Sequence, residues 1–334
     1  MEAIERYPIF QHEALDTTQQ SIRLISIDPE LSPEGLVQST MQHATIDAHY
    51  NCLSYRWGAA DFSHTFLVNG KRLRVNQSLH DFLEAVRTLQ YPAPGRKEKL
   101  HLRSCLWIDA VCIDQTSNHE KNHQVAQMGK IYSNASKVVM WLGKVPDSGK
   151  RRFLDSADER NMEFILHNKY WTRAWVAQEV LLARDPVLVV ADHLIALPRF
   201  VEYLEDRPSE SWEMKWRRYQ KVVLRQAPNP SRVEATGVLW AWIHNRIMKN
   251  NSIMEWLAVM KGLECSILHD RIFSLRELAV EGSRIHVDYS MPLDELAYHV
   301  LMATNRNVCL CEVILVAGLL HSVDDAAYSS ASYR

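Results

Sequence analysis

Along the first two thirds of the chain, short apolar runs rich in β-branched residues alternate with longer stretches whose apolar positions recur every three to four residues. The short runs predict strands over 22–27, 51–55, 65–68 with 72–75, 105–108, 137–142 and 187–191. Several carry no charge, as strands covered on both faces do. Helices are predicted over 78–89, 120–133, 153–167 and 171–183. In the second of these, Val125, Met128, Gly129 and Tyr132 stand at i, i+3, i+4 and i+7, a single stripe that can seat on a sheet. Strand–helix–strand alternation predicts an α/β fold with a parallel sheet flanked by helices.

The pattern breaks over 206–236, where DRPSESWEMKWRRYQ concentrates charge and QAPNPS places two prolines. A boundary there gives an α/β domain over 1–205 and a mainly helical extension over 206–334. Within the extension, helices are predicted over 238–248, 252–261 (stopped by Gly262), 271–279 and 292–303, with one extended piece over 285–289.

Composition narrows the functional classes. The 334 residues suit about two domains, and a 47% hydrophobic, 23% charged chain with 11 Gly and 12 Pro can bury a core. A formal charge of −2 advertises no field for nucleic acid or an anionic membrane. Six thinly spread cysteines without a framework of spacings read as reduced thiols, and Cys309 and Cys311 as buried small hydrophobes. The terminus MEAIERYPIF has no basic-then-apolar leader, and the longest apolar stretch, 308–320, is too short to span a bilayer and holds Glu312. The expectation is a soluble, cytoplasmic protein without a membrane span. There is no P-loop and no G-x-G-x-x-G, and hence no phosphate cradle for triphosphate hydrolysis or hydride transfer.

Three clusters follow predicted strands or open a predicted helix, and in parallel sheets ligands bind outside the carboxyl ends of the strands. The first is Ser54-Tyr55-Arg56-Trp57-Gly58. Arg56 is suited to a phosphate and Trp57 to stacking on a base or pyridine ring, or else Trp57 plugs the sheet end and Arg56 is a surface ion pair. The second runs from Leu106 to Gln115 and ends in Asp109 and Asp114. These carboxylates suit ribose hydroxyls or a cationic group, or else Asp109 accepts turn N–H groups and Asp114 begins the next helix. The third is Tyr170 to Val180, where Trp171, Trp175 and Glu179 fall at i, i+4 and i+8. On one unbroken helix they share an inward face, so that Glu179 loses hydration and becomes an acid, base or hydroxyl acceptor. The alternative is an aromatic core stripe with Glu179 paired to an arginine. His119-Glu120-Lys121-Asn122-His123 fits H-E-x-x-H. However, Ser117 to Glu120 is also a capping box that turns Glu120 toward the cap, and no third ligand accompanies the pair, so no metal is expected.

In this order the clusters resemble the fungal heterokaryon-incompatibility (HET) domain. CLSYRWG looks like its first block and LWIDAVCIDQ its second, with Glu120, Gln124, Met128, Ile131, Tyr132 and VVMWLG following, and WTRAWVAQE looks like its third. The resemblance covers residues 22 to 192, and HDRIFSLRELAVEGSRIHVDYS is similar to what often follows this domain. The HET domain in turn resembles TIR domains, through LSYRWGAADF and WVAQEV, which implies a flavodoxin/TIR-like parallel sheet. The resemblance further implies Glu179 as catalytic residue for NAD cleavage, with Ser54, Tyr55, Arg56, Trp57 and Gly58 lining the pocket and NAD as substrate rather than cofactor. The nicotinamide–ribose bond breaks through an oxocarbenium-like state that a carboxylate stabilises. Glu179, an indole (Trp175 or Trp57) and Arg56 supply the residue types. The implied role is an incompatibility effector of programmed cell death, assembled as a homo-oligomer or with an incompatibility partner or receptor. The alternative is a non-enzymatic signalling module. On the enzymatic reading, Arg56, Asp109 and Glu179 open into one cleft at the carboxyl edge of the sheet.

Overall fold

The computed structural model describes residues 2–58, 61–88, 91–92, 99–100, 102–144, 164–190, 193–206, 238, 242, 251–304 and 308–321. Nine strands form one mixed sheet: β1 (Ser21–Leu31), β2 (Val37–Thr45), β3 (Asn51–Tyr55), β4 (His64–Val68), β5 (Lys71–Val75), β6 (Leu106–Trp107), β7 (Lys137–Trp141), β8 (Pro186–Val190) and β9 (His193–Ala196). Their order across the sheet is β9-β8-β7-β3-β6-β1-β2-β4-β5. The middle strands β6, β3, β7 and β8 are mutually parallel. Taken in chain order they lie second, first, third, fourth, the flavodoxin-like arrangement, whose switch point falls between β3 and β7. Every residue of β3 and β8 is buried, which is why neither strand carries a charged residue.

The sheet is less purely parallel than the alternation predicts, because β1 pairs antiparallel with β2 and β6, β4 with β5, and β8 with β9. All six predicted strand regions are present. Two strands of this sheet escaped the pattern, as did a separate two-residue pair, Tyr91–Pro92 with Lys99–Leu100: β2 is polar or half-buried over most of its length, and β9 is a half-buried edge. Both are held by ladder hydrogen bonds to a buried neighbour rather than by their own apolar content.

The longer helices of the α/β part are α1 (Gln77–Thr88), α2 (Asn118–Asn134), α3 (Ala174–Leu181) and α4 (Leu197–Asp206), beside single turns at Glu2–Glu5 and Asp109–Cys112. Two hydroxyls tie α2 to the sheet: Tyr132 Oη donates to Leu53 O at 3.1 Å and Tyr50 Oη to Ile131 O at 2.9 Å. Ser117 caps α2 by accepting from Glu120 N at 3.3 Å. The Glu120 carboxylate does not return to the cap as a capping box requires. It accepts from Asp114 N at 2.7 Å and forms a two-pronged pair with Arg23, at 2.5 and 2.8 Å. Arg23 is 1% exposed and also donates to the carbonyls of Cys112 and Glu13, so one guanidinium gathers β1, the loop before α2 and the N-terminal segment.

The C-terminal part contains α5 (Ile253–Met260), α6 (Leu293–Ala303) and α7 (Leu310–His321), with short turns Asp270–Phe273, Arg276–Leu278 and Gly282–Arg284 between them. Ser252 and Glu255 make a full capping box on α5. The helix predicted over 271–279 is broken, and the stretch 285–289 pairs with no described strand, since Arg276 Nε takes the Ile285 carbonyl at 2.7 Å. Residues 153–163 of the helix predicted over 153–167, the helix predicted over 238–248 apart from Val238 and Trp242, and the boundary over 207–236 lie outside the described residues, while 164–166 are helical.

The extension packs on the flank of α2. A Cβ on Gly129 would sit 2.3 Å from Glu277 Cγ and 2.5 Å from its Cβ, so the turn Arg276–Leu278 comes too close for any side chain there. Lys121 Nζ lies 3.7 Å from the centre of the Tyr289 ring, and Asn122 bonds both Asp288 and Tyr289 N. Gly129 therefore serves the extension, while Val125, Met128 and Tyr132 join the main core.

Breaking a buried pair strands the surviving charge without water and costs about 3–5 kcal/mol. Glu120→Ala should accordingly lower the urea midpoint of the full chain far more than Glu84→Ala, which removes the half-buried partner of Arg87 on α1. Equal losses would show that the Arg23 pair does not hold these segments together.

Candidate functional site

Strands β3, β6 and β7 end on the same edge of the sheet, and the predicted clusters are spent there. After Tyr55 the chain turns at Gly58, whose φ of +77° suits glycine. Trp57 is 40% exposed, and its indole N–H donates to Asp109 Oδ2 at 3.1 Å. Asp109, two residues beyond β6, also accepts from Ala110 N at 2.7 Å, so it takes part in its own turn. Burial lifts its carboxyl to about 6; the negative Glu179 adds to the rise, while the Arg173 guanidinium opposes it.

The third cluster does not form one helix. Lys169–Thr172 is a tight 3-10 turn, Arg173 is extended (φ −72°, ψ 137°), and α3 begins only at Ala174. The break has a partner: Ala174 N donates to Glu264 O at 2.8 Å, Glu264 N to Thr172 O at 2.5 Å, and Thr172 Oγ1 to Glu264 Oε2 at 2.8 Å. A strand-like bridge from the extension thus replaces the helical bonds. Trp171 is fully buried, with its indole on Ile165 O, and Trp175 is half-buried, with its indole on Asp270. The expected stripe of two indoles beside Glu179 is therefore divided, and its Trp171 member belongs to a different element.

Glu179, 1% exposed at its side chain, reaches from α3 to the end of β3. Both its oxygens meet Arg173, at 3.1 Å to Oε2 and 3.2 Å to Oε1, and Ser54 Oγ donates to Oε2. Ser54 has one proton, so Tyr170 Oη, 2.6 Å away, is the donor to it. The result is a relay from Tyr170 through Ser54 to Glu179, closed by a forked guanidinium. Burial would lower the Arg173 pKa, but Glu179 and then Asp109 outweigh it and hold the guanidinium charged. The phenols of Tyr170, Tyr55 and Tyr132 are driven upward, chiefly by burial.

Ser54, Asp109 and Glu179 thus share one sheet edge, and Trp57 touches Asp109. Tyr55 is 1% exposed, with a buried hydroxyl that has no partner among the described residues. Arg56 is half-buried and makes no hydrogen bond or ion pair among the described residues. Asp114 lies apart. Partly desolvated, it is held below the usual range by two bonds from Thr116 and stands beside His12. In the H-E-x-x-H stretch, His123 bonds Gln19 O and Gln124. Among the described residues, no group of three or more His, Cys, Asp or Glu is placed to hold a metal.

A cleft of about 300 Å³ opens at the switch point between β3 and β7. Trp57, Gly58, Asn76, Asp81, Trp141 and Gly143 are among its lining, but Arg56, Asp109 and Glu179 are not, so the three do not open into it as expected. Arg173 and Tyr170, the residues that govern Glu179, were not singled out from the sequence. Arg173 stands six positions before Glu179, a spacing that brings side chains together only if the helix is interrupted. The arginine-paired alternative named the kind of partner without its position.

Residues 50–160 match the family model described as heterokaryon incompatibility protein (HET), and the chain carries a HET domain there. Over 162 residues it is 34% identical to heterokaryon incompatibility protein 6, OR allele, of Neurospora crassa, a stretch covering 46% of this chain and 23% of that protein. No solved structure matches the chain. Among the described residues, no helix is long and apolar enough to cross a membrane.

The folded carboxyl of Asp109 titrates above its ordinary value of 3.8, so the folded state binds the extra proton between about pH 4 and 6. Its contribution to stability is complete below that window and lost as pH rises through it. Asp109→Asn should therefore gain stability relative to wild type as pH is raised from 4 to 6, by up to about 3 kcal/mol. Melting temperatures of both proteins across that range check this. A constant difference would place Asp109 in water.

Proposed function

We propose that this HET-domain chain is a heterokaryon-incompatibility effector that triggers programmed cell death by assembly-dependent hydrolysis of NAD. The observation that carries the reading is the delivery of Glu179 from α3 to Ser54 at the carboxyl end of β3. Positive charge develops on ribose as nicotinamide departs, and a carboxylate held in a dry site stabilises it far more than one in water. Nicotinamide leaves as a neutral ring from a pyridinium, so a strong acid is unnecessary. Trp57 offers an exposed indole face for a ring, and Arg56 a guanidinium with no partner among the described residues for a phosphate.

In the resting chain Arg173 occupies both oxygens of Glu179. The proposed reaction therefore requires self-association, or binding of an incompatibility partner, to part this pair. That requirement gives a physical reason for activity to depend on assembly. The same contact favours a second reading, in which Glu179 is structural and the chain signals by self-association or receptor binding alone.

Full-length protein clustered on a multivalent support and supplied with NAD separates the two. Release of nicotinamide should appear on clustering and fall by at least about 100-fold in Glu179→Gln, with folding of the variant checked by circular dichroism. No nicotinamide from clustered wild type, or equal rates in the two proteins, would overturn the enzymatic reading and leave the signalling one.

A further inference from the structure

The six cysteines divide by environment, and Cys105 is a half-buried free thiol. Cys52 and Cys112 are buried, with thiols pushed well up, that of Cys112 to about 12, mainly by loss of hydration. Cys265 is half-buried and pushed to about 11 for the same reason. Cys309 and Cys311 are instead exposed, contrary to the expectation of buried hydrophobes, and they are joined to each other. Their Cα atoms lie 5.4 Å apart, within the normal span of a disulfide.

A crosslink between residues two apart removes almost no freedom from the unfolded chain, so this disulfide contributes little to the stability of the fold. It is also open to attack, as exchangeable disulfides are. The bond sits at the start of α7, where Cys309 fills the role usually taken by serine: Glu312 N approaches Cys309 Sγ at 3.4 Å, and Cys309 N donates to Glu312 Oε2 at 2.9 Å. A thiolate at Cys309 would therefore accept an orphan N–H and face the positive end of a twelve-residue helix. The Glu312 carboxylate works against it. Cys311 lies inside the first turn, where no such donor is directed at its sulfur among the described residues.

We propose that Cys309 and Cys311 form a thiol–disulfide exchange site that takes electrons from a dithiol, with Cys309 as the leaving thiolate. One thiolate of the dithiol attacks Cys311 Sγ, forming a mixed disulfide and breaking the Cys309–Cys311 bond, whose electron pair departs on Cys309 Sγ. The second thiol of the dithiol then attacks its own sulfur in the mixed disulfide and releases Cys311. The dithiol is oxidised to a disulfide by two electrons, and its two protons end on Cys309 and Cys311. The proposal does not depend on NAD cleavage.

The test uses the full folded chain, oxidised with glutathione disulfide, then treated with dithiothreitol as the dithiol and labelled with iodoacetamide before peptide mapping. Before reduction, the peptide holding both residues should be unlabelled and lighter by two hydrogens than its dithiol form. After brief reduction both should label at a low dithiothreitol concentration, while Cys52 and Cys112 label only in denaturant. In single variants, Cys309 in Cys311→Ser should alkylate several-fold faster at neutral pH than Cys311 in Cys309→Ser. Labelling of both residues in the oxidised chain, or resistance to dithiothreitol until the chain unfolds, would overturn the site. Faster alkylation of Cys311 would overturn the role given to Cys309.

Discussion

A carboxylate removed from water stays charged only if the fold supplies a counter-charge and donors for its lone pairs. Glu179 imposes that condition on everything around it. Arg173 can answer it only by leaving the helix that would otherwise run through it, and a backbone that leaves a helix must find new hydrogen bonds. Those bonds come from Glu264, in the C-terminal extension. One ion pair thereby links the end of β3, the start of α3 and the extension, elements far apart in sequence.

The second organising element is α2, which serves two neighbours at once. Its apolar stripe and Tyr132 anchor it to β3, while Lys121, Asn122 and Gly129 receive the extension. The extension is thus packed against the same α/β body whose sheet edge it helps to shape. This arrangement ties the counter-ion of the buried carboxylate directly to the backbone of the extension. The Arg23–Glu120 pair plays the complementary part at the N-terminal end of α2, where it gathers backbone carbonyls and a loop N–H without exposing either charge.

The regular features were legible because each is written within a single segment. The apolar runs of β3, β7 and β8 and the cap at Ser117 depend on neighbours a few residues away. So do the strand-end positions of Ser54 and Asp109, since a run that stops being apolar stops being covered. The polar strand β2 and the edge β9 were not legible, because what holds them is a ladder to another strand. The broken helix at Arg173 was missed for the same reason: helical spacing of Trp171, Trp175 and Glu179 is a local signal, and a bridge from residue 264 overrode it.

By itself, the sequence determined the α/β class, the strand-end placement of its acidic and aromatic clusters and their order, which carries the resemblance to the HET domain. These follow from local periodicity and from residue types in a row. Only the tertiary structure decided that Arg173 would be the partner of Glu179, that Asp114 would stand apart from Asp109, that Trp175 would turn to Asp270 and that Cys309 and Cys311 would lie exposed and joined. Each of these is a choice between alternatives of equal local merit. It is settled by which distant segment arrives to satisfy a charge, fill a hydrogen bond or leave a side chain in water.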